Sequence, residues 1–341
     1  MKIILLCLLL FMFGTASGWG PGDFEKYGPM YMSLRYVKCD HSRDLQLDVS
    51  LIDVYFYDFS KNFTGAYGIK DAAKQILSIP KLDKNRKFII FNPGFRSEIT
   101  KKTEEKIRDT FRNYPNSYLI IFDHSEYTND KQGSKKKSYE RSVRHVYYIG
   151  KEIGIMLSDL KRGGISPKQM HCIGHSLGSQ MLAHTGETFI NITGEKIVRI
   201  TALDPAGPCF SNSLIQEQIR SGVAEYVEVY HCNAGMLGTT SVLGDIDFFI
   251  NKNGAVQPNC RTPYIPGVFD STKAARCNHK TCINVYTATV DHPEMFLAHN
   301  CDTYKEYKNG ACSRNNVTIA GFWNPGNATG VYYFSTKDFD V

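Results

Sequence analysis

Between residues 87 and 231, short apolar runs alternate with longer amphipathic ones. KFIIF (87–91) and SYLIIFD (117–123) are of strand length, rich in isoleucine and aromatic residues, with no polar residue breaking the apolar run. Strands covered on both faces need that pattern. Between them, TEEKIRDTFRNY (103–114) reads as a helix. The stretch 138–162 places Tyr139, Val143, Val146, Ile149 (or Gly150), Ile153, Leu157 and Leu160 on one helical stripe, and Gly163 and Gly164 end it. MHCIG (170–174), VRITALD (198–204) and YVEVYH (226–231) read as three more strands, and the residues after Ser176 as a helix. Alternation of this kind predicts an α/β fold with a mostly parallel sheet and helices on both faces. VSLIDVYFYDF (49–59) predicts antiparallel strands at the N-terminal edge. No internal repeat or low-complexity linker interrupts the pattern.

The first residues, MKIILLCLLLFMFGTASG, carry one lysine, an apolar run from Ile3 to Phe13, then small residues. The run is too short to span a bilayer and has the form of a secretory signal cut near Gly18. No later run is long and apolar enough to cross a membrane. The expectation is a soluble, secreted, extracellular protein in which residues 19–341 form one domain with a single large core. Ten cysteines are present, and removing Cys7 with the signal leaves nine. An oxidising compartment then implies several disulfides and one free thiol. Sequons at Asn62, Asn191, Asn316 and Asn327 suit the same compartment. The net charge of +6 is mild, and its densest part, KQGSKKK with Lys131, Lys135, Lys136 and Lys137, reads as a solvated loop in preference to a site for anionic head groups, since nothing apolar is interleaved to hold a ligand. Nothing here has the extended basic surface or module that a nucleic-acid partner requires.

Residues 171–180 read HCIGHSLGSQ, so G-x-S-x-G lies between a strand and a helix. In that context Ser176 is a candidate nucleophile on a sharp elbow, with Gly174 and Gly178 leaving room for the turn. Elbows of this type take their acid and base downstream, in that order. Asp204 ends the next sheet strand, in TALDPAGP, at the edge where open α/β sheets collect functional groups. For the base, His231, His279, His292 and His299 all follow, and spacing alone does not choose among them.

The blocks IGHSLG (173–178), TALDPAGPCF (201–210), VEVYH (227–231), GDIDFFINKNGAVQPNC (244–260), CNHKTC (277–282) and AHNCDTYKEYKNGAC (298–312) occur in this order. In them the chain resembles the pancreatic lipase family over essentially its whole mature length, and most of all its insect secreted branch, which includes phospholipases A1. The resemblance implies an α/β-hydrolase fold and a Ser176–Asp204–His279 triad acting on ester carbonyls. It gives His231 to a family position that is not the base. It implies an oxyanion hole made by the backbone N–H groups of Leu177 and Phe95. The family usually has His-Gly before that aromatic residue, whereas this chain has Asn92-Pro93-Gly94-Phe95. The donor belongs to Phe95, two residues past the proline.

The resemblance also makes 261–276 a lid closed by a Cys260–Cys277 disulfide, with Tyr264, Ile265, Val268 and Phe269 facing lipid. Cys301 and Cys312 are expected to close a second short loop. Cys172, on a strand expected to be buried, is the candidate free thiol, and the pairing of Cys39, Cys209, Cys232 and Cys282 stays open. The lid and the stretch between His231 and Asp247 are shorter than in the pancreatic enzymes, as in relatives that favour phospholipids. Where those enzymes hold calcium, this chain has Ile215, Arg220 and Val223, so no metal or other cofactor is expected. The chain ends without the length of a C-terminal β-sandwich, so no colipase-type partner is expected. The partner implied is a lipid substrate at a membrane or droplet surface. Two functions follow: a secreted lipid esterase, phospholipase A1 or neutral lipase; or a weak or inactive lipid-binding, yolk-protein-like member of the fold. A peptidase is disfavoured by the CNH and lid blocks.

Overall fold

The computed structural model describes residues 37–114, 116–129, 134–260 and 271–339. The expected signal segment, the lid residues Tyr264, Ile265, Val268 and Phe269, and Lys131 lie outside the described residues.

In chain order the strands are β1 (Asp53–Asp58), β2 (Phe63–Gly68), β3 (Lys87–Asn92), β4 (Ser117–Asp123), β5 (Met170–His175), β6 (Arg199–Leu203), β7 (Tyr226–His231), β8 (Ile246–Ile250), β9 (Phe296–Asn300), β10 (Val317–Ala320) and β11 (Gly330–Phe334). The helices are α1 (Ile69–Leu77), α2 (Lys102–Arg112), α3 (Ser125–Thr128), α4 (Lys135–Arg162), α5 (Leu177–Thr193), α6 (Ser271–Asp291) and α7 (Tyr304–Lys308). The strands form one sheet in the order β10-β9-β11-β8-β7-β6-β5-β3-β4-β1-β2. From β4 to β11 through the centre the pairing is parallel; β1, β2, β9 and β10 are antiparallel additions at the two edges. This is the topology of an α/β hydrolase, with the antiparallel edge where the 49–59 pattern puts it.

The apolar runs of the central strands follow from burial on both sides. Phe88 and Ile90 of β3 enter one core and Ile89 and Phe91 the other. Strand geometry sends alternate side chains to opposite faces, so a strand between two helix layers has no polar position to spare. The first core is closed by α1, α4 and α5, and the second by α2 and α6. The α4 stripe from Tyr139 to Leu160 is buried as its spacing requires. Ile149 and Gly150 are both inside, and Gly150 is where α4 meets α5. A methyl group there would stand 2.3 Å from the Met181 carbonyl oxygen. That close approach fixes α5, which starts at the elbow.

Lys135 to Lys137 form the first turn of α4, capped by the Ser134 hydroxyl that accepts from the Lys137 N–H. The solvated-loop reading of this stretch is thereby corrected for residues 135–137: a capped helix start holds them. Disulfides join Cys39 to Cys209, Cys232 to Cys282, Cys260 to Cys277 and Cys301 to Cys312. Cys172 is free and buried on β5, where burial pushes its thiol pKa up and keeps it unreactive. Asn62, Asn191, Asn316 and Asn327 are all exposed.

One buried carboxyl has little to offset its loss of water. Glu104, in the first turn of α2, is wholly inaccessible, and neither oxygen makes a hydrogen bond of good geometry. Ser97, and more weakly Lys280 on α6, lower the cost of its charge, and Asp123 raises it. Burial prevails and lifts its pKa from 4.5 to about 7. The folded state then holds a proton that the unfolded chain releases, so stability falls as pH rises from 4.5 to about 7. The full cost is about 3 kcal/mol. Glu104→Gln should therefore melt above the wild type at pH 8 and converge with it below the ordinary glutamate pKa. Thermal melts across pH check this; a parallel offset at all pH values would sink it.

Candidate active site

Strand β5 ends at His175, and α5 begins at Leu177. Ser176 makes the whole turn, with φ +57° and ψ −121°. A non-glycine residue in that region costs on the order of 1–3 kcal/mol and persists only when neighbours hold it. The neighbours are β6 and the turn after it: the Ser176 N–H donates to the Leu203 carbonyl at 3.1 Å, and the Ala206 N–H to the Ser176 carbonyl at 3.2 Å. The two glycines of the motif are required by contact. A methyl group on Gly178 would lie 2.1 Å from the Asn92 carbonyl oxygen, and one on Gly174 would lie 2.7 Å from Ser179 Cα. The positive end of α5 meets Ser176.

Asp204 follows β6 and is fully buried. Its Oδ1 accepts from the backbone N–H groups of Cys232 at 2.8 Å and Asn233 at 3.0 Å. Its Oδ2 lies 2.5 Å from His279 Nδ1. These contacts hold a buried carboxylate in place and leave His279 Nε2 as the free ring nitrogen. His279 sits on α6, and the Cys232–Cys282 disulfide ties that helix to the residue that donates to Asp204. Ser176 and His279 line the same cavity, about 510 Å³ in volume. It opens at the carboxyl ends of β3, β5 and β6, and its size suits a small ligand or one end of a lipid.

The other histidines have different work. Both ring nitrogens of His231 are engaged, Nε2 with Asp247 Oδ1 at 2.8 Å and Nδ1 with the Thr239 carbonyl at 3.1 Å. Asp247 also accepts from the backbone of Leu243 and Gly244, so the pair pins the loop after β7. His292 is exposed, and His299 is half-buried on β9 away from the cavity.

After β3 the chain turns through Asn92, Pro93, Gly94 and Phe95 against the elbow. A methyl group on Gly94 would stand 2.9 Å from Ser176 Cβ. Pro93 contributes its carbonyl, which accepts from His124 Nε2 at 3.2 Å. Burial lowers the His124 pKa to about 4, so the ring is neutral, and Thr128 Oγ1 holds its Nδ1 at 2.9 Å. Asn92 Nδ2 donates to the Gly178 carbonyl at 3.1 Å, and the Arg96 N–H to the Thr128 carbonyl at 3.1 Å. The loop asks nothing of the N–H that proline lacks. The Phe95 N–H makes no hydrogen bond among the described residues, and Leu177, first in its helix, has no intrahelical partner for its own.

Sequence reasoning missed His124, His175 and Gly238 as parts of the site, and gave Asn92 no role beyond its place in the oxyanion loop. His175 donates from Nε2 to the His279 carbonyl at 3.2 Å, and burial, together with the neighbouring His279, holds its pKa well below the usual histidine range. A methyl group on Gly238 would meet Asp204 Oδ1 at 2.4 Å. Gly238→Ala should push the carboxylate off His279 and lower kcat on the order of a hundredfold with little change in KM. Steady-state kinetics on a soluble ester check this; an unchanged kcat would show that Asp204 can shift freely. The calcium-site positions carry other contacts: Ile215 is exposed, Val223 is buried, and Arg220 pairs with Glu187.

The chain resembles pancreatic lipase-related protein 2 of Bos taurus, 26% identical over 286 residues that cover 76% of this chain and 56% of that one. It resembles phospholipase A1 member A of Homo sapiens at 31% identity over 174 residues, 51% of this chain and 36% of that one. Among solved structures it is similar to a thermophilic esterase from Thermogutta terrifontis, with a TM-score of 0.33 and 13% identity over 62% of this chain and 74% of that one. The chain spans about half the length of the curated relatives it matches, 41% and 56% for the first two. Residues 46–319 match the lipase family, so by its sequence, and with a fold to fit, the chain belongs to the lipase family.

Proposed function

We propose that this chain is a secreted serine esterase that hydrolyses the carboxylic esters of lipids, as a phospholipase A1 or neutral lipase. The observation that carries this reading is the Asp204–His279 hydrogen bond at the wall of the cavity that Ser176 also lines. Ser176 Oγ attacks the ester carbonyl and His279 Nε2 takes its proton. Asp204 holds Nδ1–H and stabilises the imidazolium. The N–H groups of Phe95 and Leu177 receive the oxyanion. His279 then gives the proton to the leaving alcohol, and water releases the acyl group by the same steps reversed. The disulfides suit an oxidising compartment.

The short loop 232–246, held down by His231 and Asp247, supports access for a phospholipid head group. The lid residues Tyr264, Ile265, Val268 and Phe269 would meet the lipid surface. The intact hydrogen-bonded pair favours an enzyme over a lipid-binding, yolk-protein-like member. The test compares hydrolysis of triolein, phosphatidylcholine and a short-chain ester by wild type and Ser176→Ala, each with EDTA or calcium. Serine-dependent hydrolysis of a lipid ester, insensitive to EDTA, is expected. No hydrolysis of any ester would support the non-catalytic alternative.

A further inference from the structure

Among the described residues, six basic side chains line the cavity of Ser176 and His279, and no acidic side chain does. They come from three separate places: Arg96 and Lys101 after β3 with Lys102 at the start of α2, Lys135 at the start of α4, and Arg276 and Lys280 on α6. The chain as a whole has 40 basic and 34 acidic residues, so such a lining does not simply mirror its composition. Lys101 is paired with Glu98 at 3.3 Å, and Arg96 donates from Nε to Asn129 Oδ1 at 3.3 Å. Lys102, Lys135, Arg276 and Lys280 make no ion pair among the described residues, and all four are exposed. Glu104 lies near Lys280, but it is buried and does not line the cavity, and its pKa, raised to about 7, leaves it only about half ionised at neutral pH. The remaining wall is apolar or aromatic, with Phe95, Tyr139, Pro208 and Leu237.

An apolar pocket with a cationic wall fits an amphiphile with a negative head. We propose that this site selects glycerophospholipids whose head group carries net negative charge, such as phosphatidylglycerol or phosphatidic acid, over phosphatidylcholine. This rests on the lipid-esterase reading above. With the sn-1 ester carbonyl at Ser176, the phosphate is one glycerol backbone away, in reach of the basic wall. Several like charges around a low-dielectric cleft focus their field on that position. A choline ammonium brings a cation to a wall that, among the described residues, offers no acid to receive it, so the zwitterion gains less from the phosphate and is repelled at its far end. The basic residues are specificity determinants and take no part in the proton transfers.

The experiment presents phosphatidylglycerol or phosphatidylcholine, each dilute in neutral detergent micelles, to wild type and to the K102Q/R276Q/K280Q variant. The expected wild-type ratio favours phosphatidylglycerol by about tenfold and shrinks in about 0.5 M NaCl. The ratio should fall to near unity in the variant and be retained when the same positions keep their charge (K102R/R276K/K280R). A misfolded variant loses both activities, whereas the ratio reports selection alone. Equal wild-type rates on the two lipids, or a ratio unchanged in the variant, overturn the proposal. A second arm adds a non-hydrolysable ether-linked anionic lipid to phosphatidylcholine micelles. If this stimulates phosphatidylcholine hydrolysis tenfold, the basic residues recruit the enzyme to charged surfaces, and head-group selection is wrong. Hydrolysis of p-nitrophenyl butyrate without turnover of either lipid would overturn the lipid reading itself.

Discussion

Ser176→Ala is expected to lower turnover of a soluble ester on the order of a millionfold while the protein keeps its melting temperature within a few degrees. On the proposed mechanism the loss is large because His279, held by Asp204, acts through that hydroxyl, and without it the base has no nucleophile to deprotonate. The fold should survive because Ser176 is held by its backbone. Its N–H and carbonyl bond to Leu203 and Ala206, and its hydroxyl serves as no cap for α5. Alanine meets the same positive φ as serine, so the elbow strain is unchanged. Single-turnover measurements on p-nitrophenyl butyrate, beside a thermal melt, test the two halves separately. A mutant with more than a few per cent of wild-type activity would show that another nucleophile acts. Combining Ser176→Ala with His279→Ala should cost little more than either alone, since the groups act as a unit.

Asp204→Asn is expected to lower kcat by about ten-thousandfold near neutral pH. The reason is in the hydrogen bonds. Oδ1 accepts from two backbone N–H groups, those of Cys232 and Asn233. An asparagine must keep its oxygen there, because turning its NH₂ to two donors would bury unpaired polar groups at about 1–3 kcal/mol each. The NH₂ then faces His279 Nδ1 and makes that nitrogen an acceptor. The ring proton moves to Nε2, which can no longer take one from Ser176. Asparagine tolerates the φ of +43° at this position, so the backbone should hold. The ¹⁵N shifts of the His279 ring would report the tautomer directly. A variant with Nδ1 still protonated and kcat near wild type would show that Asp204 does not direct the base.

Local pattern on its own determined the centre of this molecule. β3 to β7 were legible because strands buried on both faces have to be continuously apolar, and the α4 stripe because one side of a long helix faces a core. The elbow was legible because a strand, a tight turn and a helix are adjacent in sequence, and the turn leaves room only for glycine at Gly174 and Gly178. The C-terminal part was not read as elements. β10 is a short edge strand and β9 the short strand beside it, with Val317 and Leu297 exposed, and the sequence around them shows no sustained period. Family resemblance, and not spacing, separated His279 from His231, His292 and His299. Nothing local distinguishes them; what does is that α6 packs on the second core and carries His279 to Asp204. The same holds for Cys39 and Cys209, 170 residues apart, and for Cys232 and Cys282. His124 shows no signal in sequence, because its work is to hold the Pro93 carbonyl across a loop. The basic wall is the sharpest case. Lys102, Lys135 and Lys280 are unremarkable surface residues until the chain crossings bring them to one cavity, so their charges acquire a common target only in the folded sheet.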